Sequence, residues 1–166
     1  MSEKIWRVIR DTSRTLQHGF TYQAHPPSAA AGLAVQRYLE KHHLIHRCRQ
    51  AGERLSSKLE TLCDHSHVGD VRGKGLLQVV EFVEDSAGRR PFAGGLRISK
   101  RIFANLRSRG VLVYPGSGTA DGGSGDHILV APPFIIEDAE IDWLARQIGE
   151  AVTEVCDGAA TGAHSG

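Results

Sequence analysis

Cysteine is scarce in this sequence. There are three in 166 residues, Cys48, Cys63 and Cys156, an odd number at wide spacing. That pattern excludes a disulfide framework and points to free thiols in a reducing compartment. Neither sign of charge is in excess: 20 Lys+Arg stand against 19 Asp+Glu, for a net charge of +1. This removes the electrostatic case for a nucleic-acid partner or an anionic membrane surface. No apolar run reaches the ~18 residues of a membrane helix. The opening MSEKIWRVIR holds no stretch of signal-peptide length. The expected location is the cytoplasm.

What is present is ordinary for a globular chain. Hydrophobic residues make up 40% and charged residues 23%, enough for a real core. Residues 1–17 read as a short helix with Ile5, Val8 and Ile9 on one face. Gly19 and Pro26-Pro27 break any helix across 18–27. A helix capped by Ser28 is expected next, starting with the small residues Ala29, Ala30 and Ala31. His42-His43 marks a bend or a short break between two helices. Beyond it Leu44, Cys48, Ala51, Leu55, Leu59 and Leu62 hold one helical face.

The period then changes. Val68–Val71 is expected to be extended, Arg72-Gly73-Lys74-Gly75 a turn and Leu76–Val83 a strand. Residues 84–95 read as a loop, and Leu96 to Leu106 as a helix stopped by Gly110. Val111–Tyr114 and His127–Ala131 are expected strands. Between them PGSGTADGGSGD, residues 115–126, holds five glycines and is expected to be mobile. Ile141 to Val155 forms a last amphipathic helix. The predicted fold class is α+β: a small, mainly antiparallel sheet with helices on one side, preceded by a long connecting helix. The expected divisions are 1–45, 46–156 and a disordered tail, 157–166.

Several patterns carry little chemistry. Gly69 to Gly75 is too short for a P-loop, and Gly75 stands where a Ser or Thr would hold Mg²⁺. His42, His43, His46, Cys48, Cys63, His65 and His67 crowd together, yet form neither C-x-x-C nor H-E-x-x-H, so no metal site is assigned. Basic residues from Arg97 to Arg109 read as a solvated helix face. The stronger signal is His18-Gly19-Phe20-Thr21-Tyr22. A glycine-containing turn offering a hydroxyl and backbone N–H groups suits a phosphate oxygen; the alternative is a plain turn linking two helices.

HGFTYQAHP followed by SAAAGLAVQRYLE resembles a hallmark stretch of the class III aminotransferases. The resemblance continues in order through VGDVRGKGLLQVVEF, GVLVYPG and HILVAPPFIIEDAEID, and covers residues 1 to about 156. It implies the C-terminal portion of a fold-type-I transferase: residues 1–45 from the end of the large domain with the connecting helix, and 46–156 as the small domain. It implies a pyridoxal phosphate cofactor and transfer of an amino group from a small amine or amino acid to a 2-oxo acid. The chain's partner is expected to be a second copy in a homodimer, or a polypeptide carrying the large domain. Phe20 and Thr21 would reach the partner's active site. There the Thr21 hydroxyl and a backbone N–H would bind the cofactor phosphate, with Gly19 permitting close approach.

The sequence also departs from the family. More than half of the usual chain would lie before Met1, including the cofactor-anchoring lysine. None of the five lysines, Lys4, Lys41, Lys58, Lys74 and Lys100, matches it. Many members hold the substrate carboxylate with an arginine near the last strand pair. The window Tyr114–Asp126 has none; Tyr114 or Ser124 stands about there. No catalytic residue is assigned. Two other readings follow: a non-catalytic pseudoenzyme or dimerisation module, and a metal-binding module built on the His/Cys crowd.

Overall fold

Apolar periodicity switches from helical to alternating at residue 68, and the architecture follows it. The computed structural model describes residues 2–12 and 19–159. The chain divides into two compact units, one up to Leu39 and one from Glu40 onward.

The first unit contains α1 (Glu3–Asp11) and most of α2 (Pro26–Lys41). Neither helix buries a residue. Ile5, Trp6, Val8, Leu33, Val35 and Tyr38 are all exposed. Residues 13–18, including the end of the expected first helix and His18, lie outside the described residues. The start of α2 corrects the sequence reading. Its first two positions are Pro26 and Pro27, where the fixed φ suits a helix and the missing N–H has no intrahelical partner to lose. Ser28 therefore lies inside the first turn and is not its cap.

The second unit is a sheet with a helical layer. His43 adopts φ 50° between α2 and α3 (Leu44–Glu60), at the expected break between two helices. Leu44, Ala51, Leu55 and Leu59 of α3 are buried. Strands β1 (Val68–Lys74) and β2 (Leu77–Asp85) form a hairpin. The expected four-residue turn shrinks to Gly75-Leu76, because Arg72, Gly73 and Lys74 pair with Val79, Gln78 and Leu77. Gly75 sits at φ +57°. A Cβ on Gly52 would lie 2.3 Å from the Gly75 carbonyl carbon, so α3 crosses this turn in near backbone contact. The expected loop 84–95 contains a two-residue strand, β3 (Arg90–Pro91), paired to β2.

Helix α4 (Ile98–Ser108) ends at Gly110 with φ +84°. The Val111 N–H returns to the Leu106 carbonyl at 2.9 Å, so Gly110 is the expected stop. Strand β4 is Tyr114–Gly116 and not the expected Val111–Tyr114: it shares only Tyr114 with that range and takes Pro115 and Gly116 from the expected loop, because these are the residues that pair with β5 (Asp126–Val130). Helix α5 (Asp138–Val152) runs into a π-helical turn, Thr153–Asp157. Gly158 and Ala159 are still helical and Ala159 is buried; the rest of the expected tail lies outside the described residues.

The strand order is β1-β2-β5-β4, every pairing antiparallel. Alternation on β2 and β5 sends Val80, Phe82, Ile128 and Val130 into the core. There they join Leu55 and Leu59 of α3, Ile98, Ile102 and Leu106 of α4, and Ile141 and Ile148 of α5. Each such side chain contributes about 1.5–3 kcal/mol on burial. This is the α+β layer expected from the sequence. Among the described residues no helix is long and apolar enough to cross a membrane.

Candidate functional site

The turn before α2 is built from two overlapping hydrogen bonds. The Gln23 N–H donates to the Phe20 carbonyl at 2.9 Å and the His25 N–H to the Tyr22 carbonyl at 3.2 Å. Ala24 takes φ 59° to connect them, a left-handed conformation costing an L-residue about 1–2 kcal/mol. Gly19, Phe20, Thr21 and Tyr22 are all exposed. Among the described residues neither the Thr21 hydroxyl nor its N–H has a hydrogen-bond partner.

These features fit a phosphate. The exposed Thr21 hydroxyl and N–H are donors with no partner among the described residues. The helix end contributes less than usual, since Pro26 and Pro27 have no N–H and the Ala29 N–H is bonded to the His25 carbonyl at 3.0 Å. Donors for a phosphate at this end would therefore have to come from the turn. Gly19 lacks a positive φ, and an added Cβ would meet only Gln23 Oε1, at 3.4 Å. Nothing among the described residues requires a glycine there, so the space it leaves is open to an approaching group.

The two candidate substrate-facing residues lie in the other unit. Tyr114 is 69% exposed on β4, opposite Leu129. With Leu77, Leu112, Val113, Leu129 and Ala131 it lines a shallow apolar cavity of about 280 Å³. Ser124 is half-buried in the loop between β4 and β5. Among the described residues no hydrogen bond or ring contact joins the two. The glycine-rich loop is bonded internally. Asp121 Oδ1 accepts from the Gly123 and Ser124 N–H groups at 2.8 and 2.5 Å. These bonds hold its carboxyl below the usual carboxylate range. The Thr119 hydroxyl donates to the Gly125 carbonyl at 3.0 Å.

Of the histidines and cysteines, His65 and His67 stay together, with ring centroids 5.7 Å apart. His43 sits at the helix bend, Cys48 faces Gly75, and Cys63 lies in the 3₁₀ turn after α3. His65 and His67 both face Asp157, at 3.7 and 3.8 Å. The His65 Nδ1 accepts the His67 backbone N–H, which commits that nitrogen. No group of three or more His, Cys, Asp or Glu side chains among the described residues is arranged to hold a metal. Lys74 ends β1, and Lys58 pairs with Asp142 at 3.6 Å.

Sequence reasoning missed Asp126 and the contacts of His25. Asp126 is buried and accepts from the Ser99 N–H and hydroxyl. Its signal was an acid placed directly before an apolar strand. For His25 the signal was a histidine three residues before a serine across two prolines.

The family model described as aminotransferase class-III matches residues 2–152. The chain is 39% identical over 154 residues to an uncharacterized aminotransferase of Schizosaccharomyces pombe, covering 92% of this chain and 34% of that protein. It is 39% identical over 156 residues to the uncharacterized aminotransferase YodT of Bacillus subtilis, covering 93% and 35%. The structure resembles a transaminase from the marine bacterium Virgibacillus with a TM-score of 0.85, 32% identity, and coverage of 95% of this chain and 35% of that one. An (S)-enantioselective omega-transaminase from Thermomicrobium roseum gives 0.82 and 32%, covering 93% and 33%. This chain belongs to the class III aminotransferase family. It spans about a third of the length of the relatives it matches.

Proposed function

We propose that this chain acts as the C-terminal portion of a cytoplasmic, pyridoxal-phosphate-dependent aminotransferase. The complete enzyme moves an amino group from an amine or amino acid to a 2-oxo acid. The supporting observation is the Gly19–Tyr22 turn, with an exposed Thr21 hydroxyl and N–H uncommitted among the described residues and an unfilled space at Gly19. When bound, the cofactor supplies the electron sink for the amino group. The chain's own part is to bind and orient. The Thr21 hydroxyl and N–H donate to a phosphate oxygen of the partner subunit's site in a homodimer, and Phe20 lies beside it. Tyr114 and Ser124 form part of the wall that meets substrate.

None of the five lysines matches the family's cofactor-anchoring residue. The isolated chain is therefore expected to show no turnover with any donor and acceptor pair, and to work only with a lysine-bearing large domain. The deciding experiment titrates pyridoxal phosphate into dimers reconstituted with that domain. Thr21→Ala should weaken binding about ten- to a hundred-fold, the worth of a hydrogen bond to a charged oxygen, and leave the fold intact. Equal dissociation constants for both proteins would overturn the phosphate role of Thr21.

A further inference from the structure

We infer that His25 is a positioning residue for the phosphate-binding turn, locking Thr21 in place by tying the turn to the first turn of α2. The inference rests on the phosphate reading of Thr21. Four contacts carry it. The His25 N–H donates to the Tyr22 carbonyl at 3.2 Å, and the His25 carbonyl accepts the Ala29 N–H at 3.0 Å. Its ring meets the Tyr22 ring edge-on, with centroids 6.1 Å apart and planes at 69°. Its Nδ1 lies 2.8 Å from the Ser28 hydroxyl. His25 is thus the residue through which the turn's second half joins the helix, by backbone and by ring on both sides.

The neighbouring residues explain why a side chain is needed. Pro26 and Pro27 donate no backbone hydrogen bonds, so the helix cannot hold the preceding turn through its first two N–H groups. Ala24 sits at φ 59°, a conformation that persists only when its surroundings impose it. The His25 ring bonds Ser28 across the proline pair and packs on Tyr22 before it, bracketing Ala24. Without that bracket the turn samples other conformations and Thr21 must be ordered on binding, which lowers affinity. The Nδ1–Ser28 contact holds with either partner as donor, because a serine hydroxyl both donates and accepts.

The test uses dimers of this chain reconstituted with the lysine-bearing large domain, and inorganic phosphate, read by backbone amide NMR shifts of this chain. Wild type should show a saturable shift at the Thr21 amide. His25→Phe keeps a ring for Tyr22 but removes the bond to Ser28, and should bind phosphate about tenfold more weakly. His25→Asn places an amide oxygen near the Nδ1 position and should restore binding toward wild type. A change in stability alone would not produce that rescue. Thr21→Ala is measured in parallel. If Thr21→Ala loses phosphate binding while His25→Phe and His25→Asn both match wild type, the positioning role is wrong and the phosphate site stands. If both histidine variants bind equally weakly in folded protein, the Ser28 bond is not the lock and the inference fails. If wild type shows no saturable shift, or Thr21→Ala binds like wild type, the phosphate reading falls and this inference with it.

Discussion

Asp126 at the start of β5 caps α4 from 27 residues away: its Oδ1 accepts the Ser99 backbone N–H at 3.1 Å and the Ser99 hydroxyl at 2.5 Å. The helix cannot cap itself, because Arg97 precedes it at φ 49° with no side-chain hydrogen bond. Both Asp126 and Ser99 are buried, at 1% and 2% exposure, so no water substitutes for the lost acceptor. Asp126→Ala is expected to cost about 2–3 kcal/mol, and Ser99→Ala about 1–2 kcal/mol. Urea denaturation of the two single variants and the double variant measures this. A double variant as destabilised as the sum of the singles would deny the coupling.

Burial pushes the Cys156 thiol up to about 12 from an ordinary value of 9.0, with Asp157 adding to the rise. The folded state keeps a proton that the unfolded chain loses. This group's stabilisation is therefore complete below pH 9 and falls between pH 9 and about 12. The slope is at most about 1.4 kcal/mol per pH unit. Cys156→Ala should flatten the alkaline decline measured by pH-dependent unfolding. An unchanged slope in the variant would remove Cys156 from the account.

Gly19→Ala separates local fold from ligand approach. The added Cβ meets only Gln23 Oε1 at ordinary contact distance, so the unfolding free energy is expected to change by no more than a neutral surface substitution, roughly ±0.5 kcal/mol. Phosphate or cofactor binding should weaken. A loss of stability without a loss of binding would assign Gly19 to the turn's own geometry.

Gly52→Ala should be costly. Its Cβ would overlap the Gly75 backbone, with nearest atoms at 2.3–2.5 Å. Since Gly75 is itself held at φ +57°, neither side yields easily, and the expected cost is about 1–3 kcal/mol despite the gain in helix propensity. Thermal unfolding of Gly52→Ala checks it, and a stabilised variant would contradict the close crossing.

In the loop between β4 and β5, Asp121 fixes Gly123 and Ser124. Asp121→Ala should raise the rate of limited proteolysis within 117–125, since the loop's glycines bring no packing of their own. Unchanged cleavage would mean that the remaining bonds, such as Thr119 to Gly125, suffice.

The sequence alone determined the helices and the layer. Leu55 and Leu59, Ile102 and Leu106, and Ile141 and Ile148 repeat at helical spacing. Val80, Phe82, Ile128 and Val130 alternate. These spacings follow from 3.6 and 2 residues per repeat, whatever packs against them. Family membership was legible too, from four motifs in register. Tertiary structure decided what depends on distant partners. Strand ends moved because pairing fixes them: Arg72 to Lys74 joined β1 opposite β2, and Val111 to Val113 lost strand status for want of a partner. Asp126 became a helix cap only because folding brought β5 to the start of α4. Gly52 became a contact residue only because the hairpin turn lies beneath α3. In the candidate site the sequence marked Thr21. The fold left its hydroxyl and N–H uncommitted among the described residues, because the turn closes on Phe20 and Tyr22 carbonyls and spends none of its bonds on Thr21.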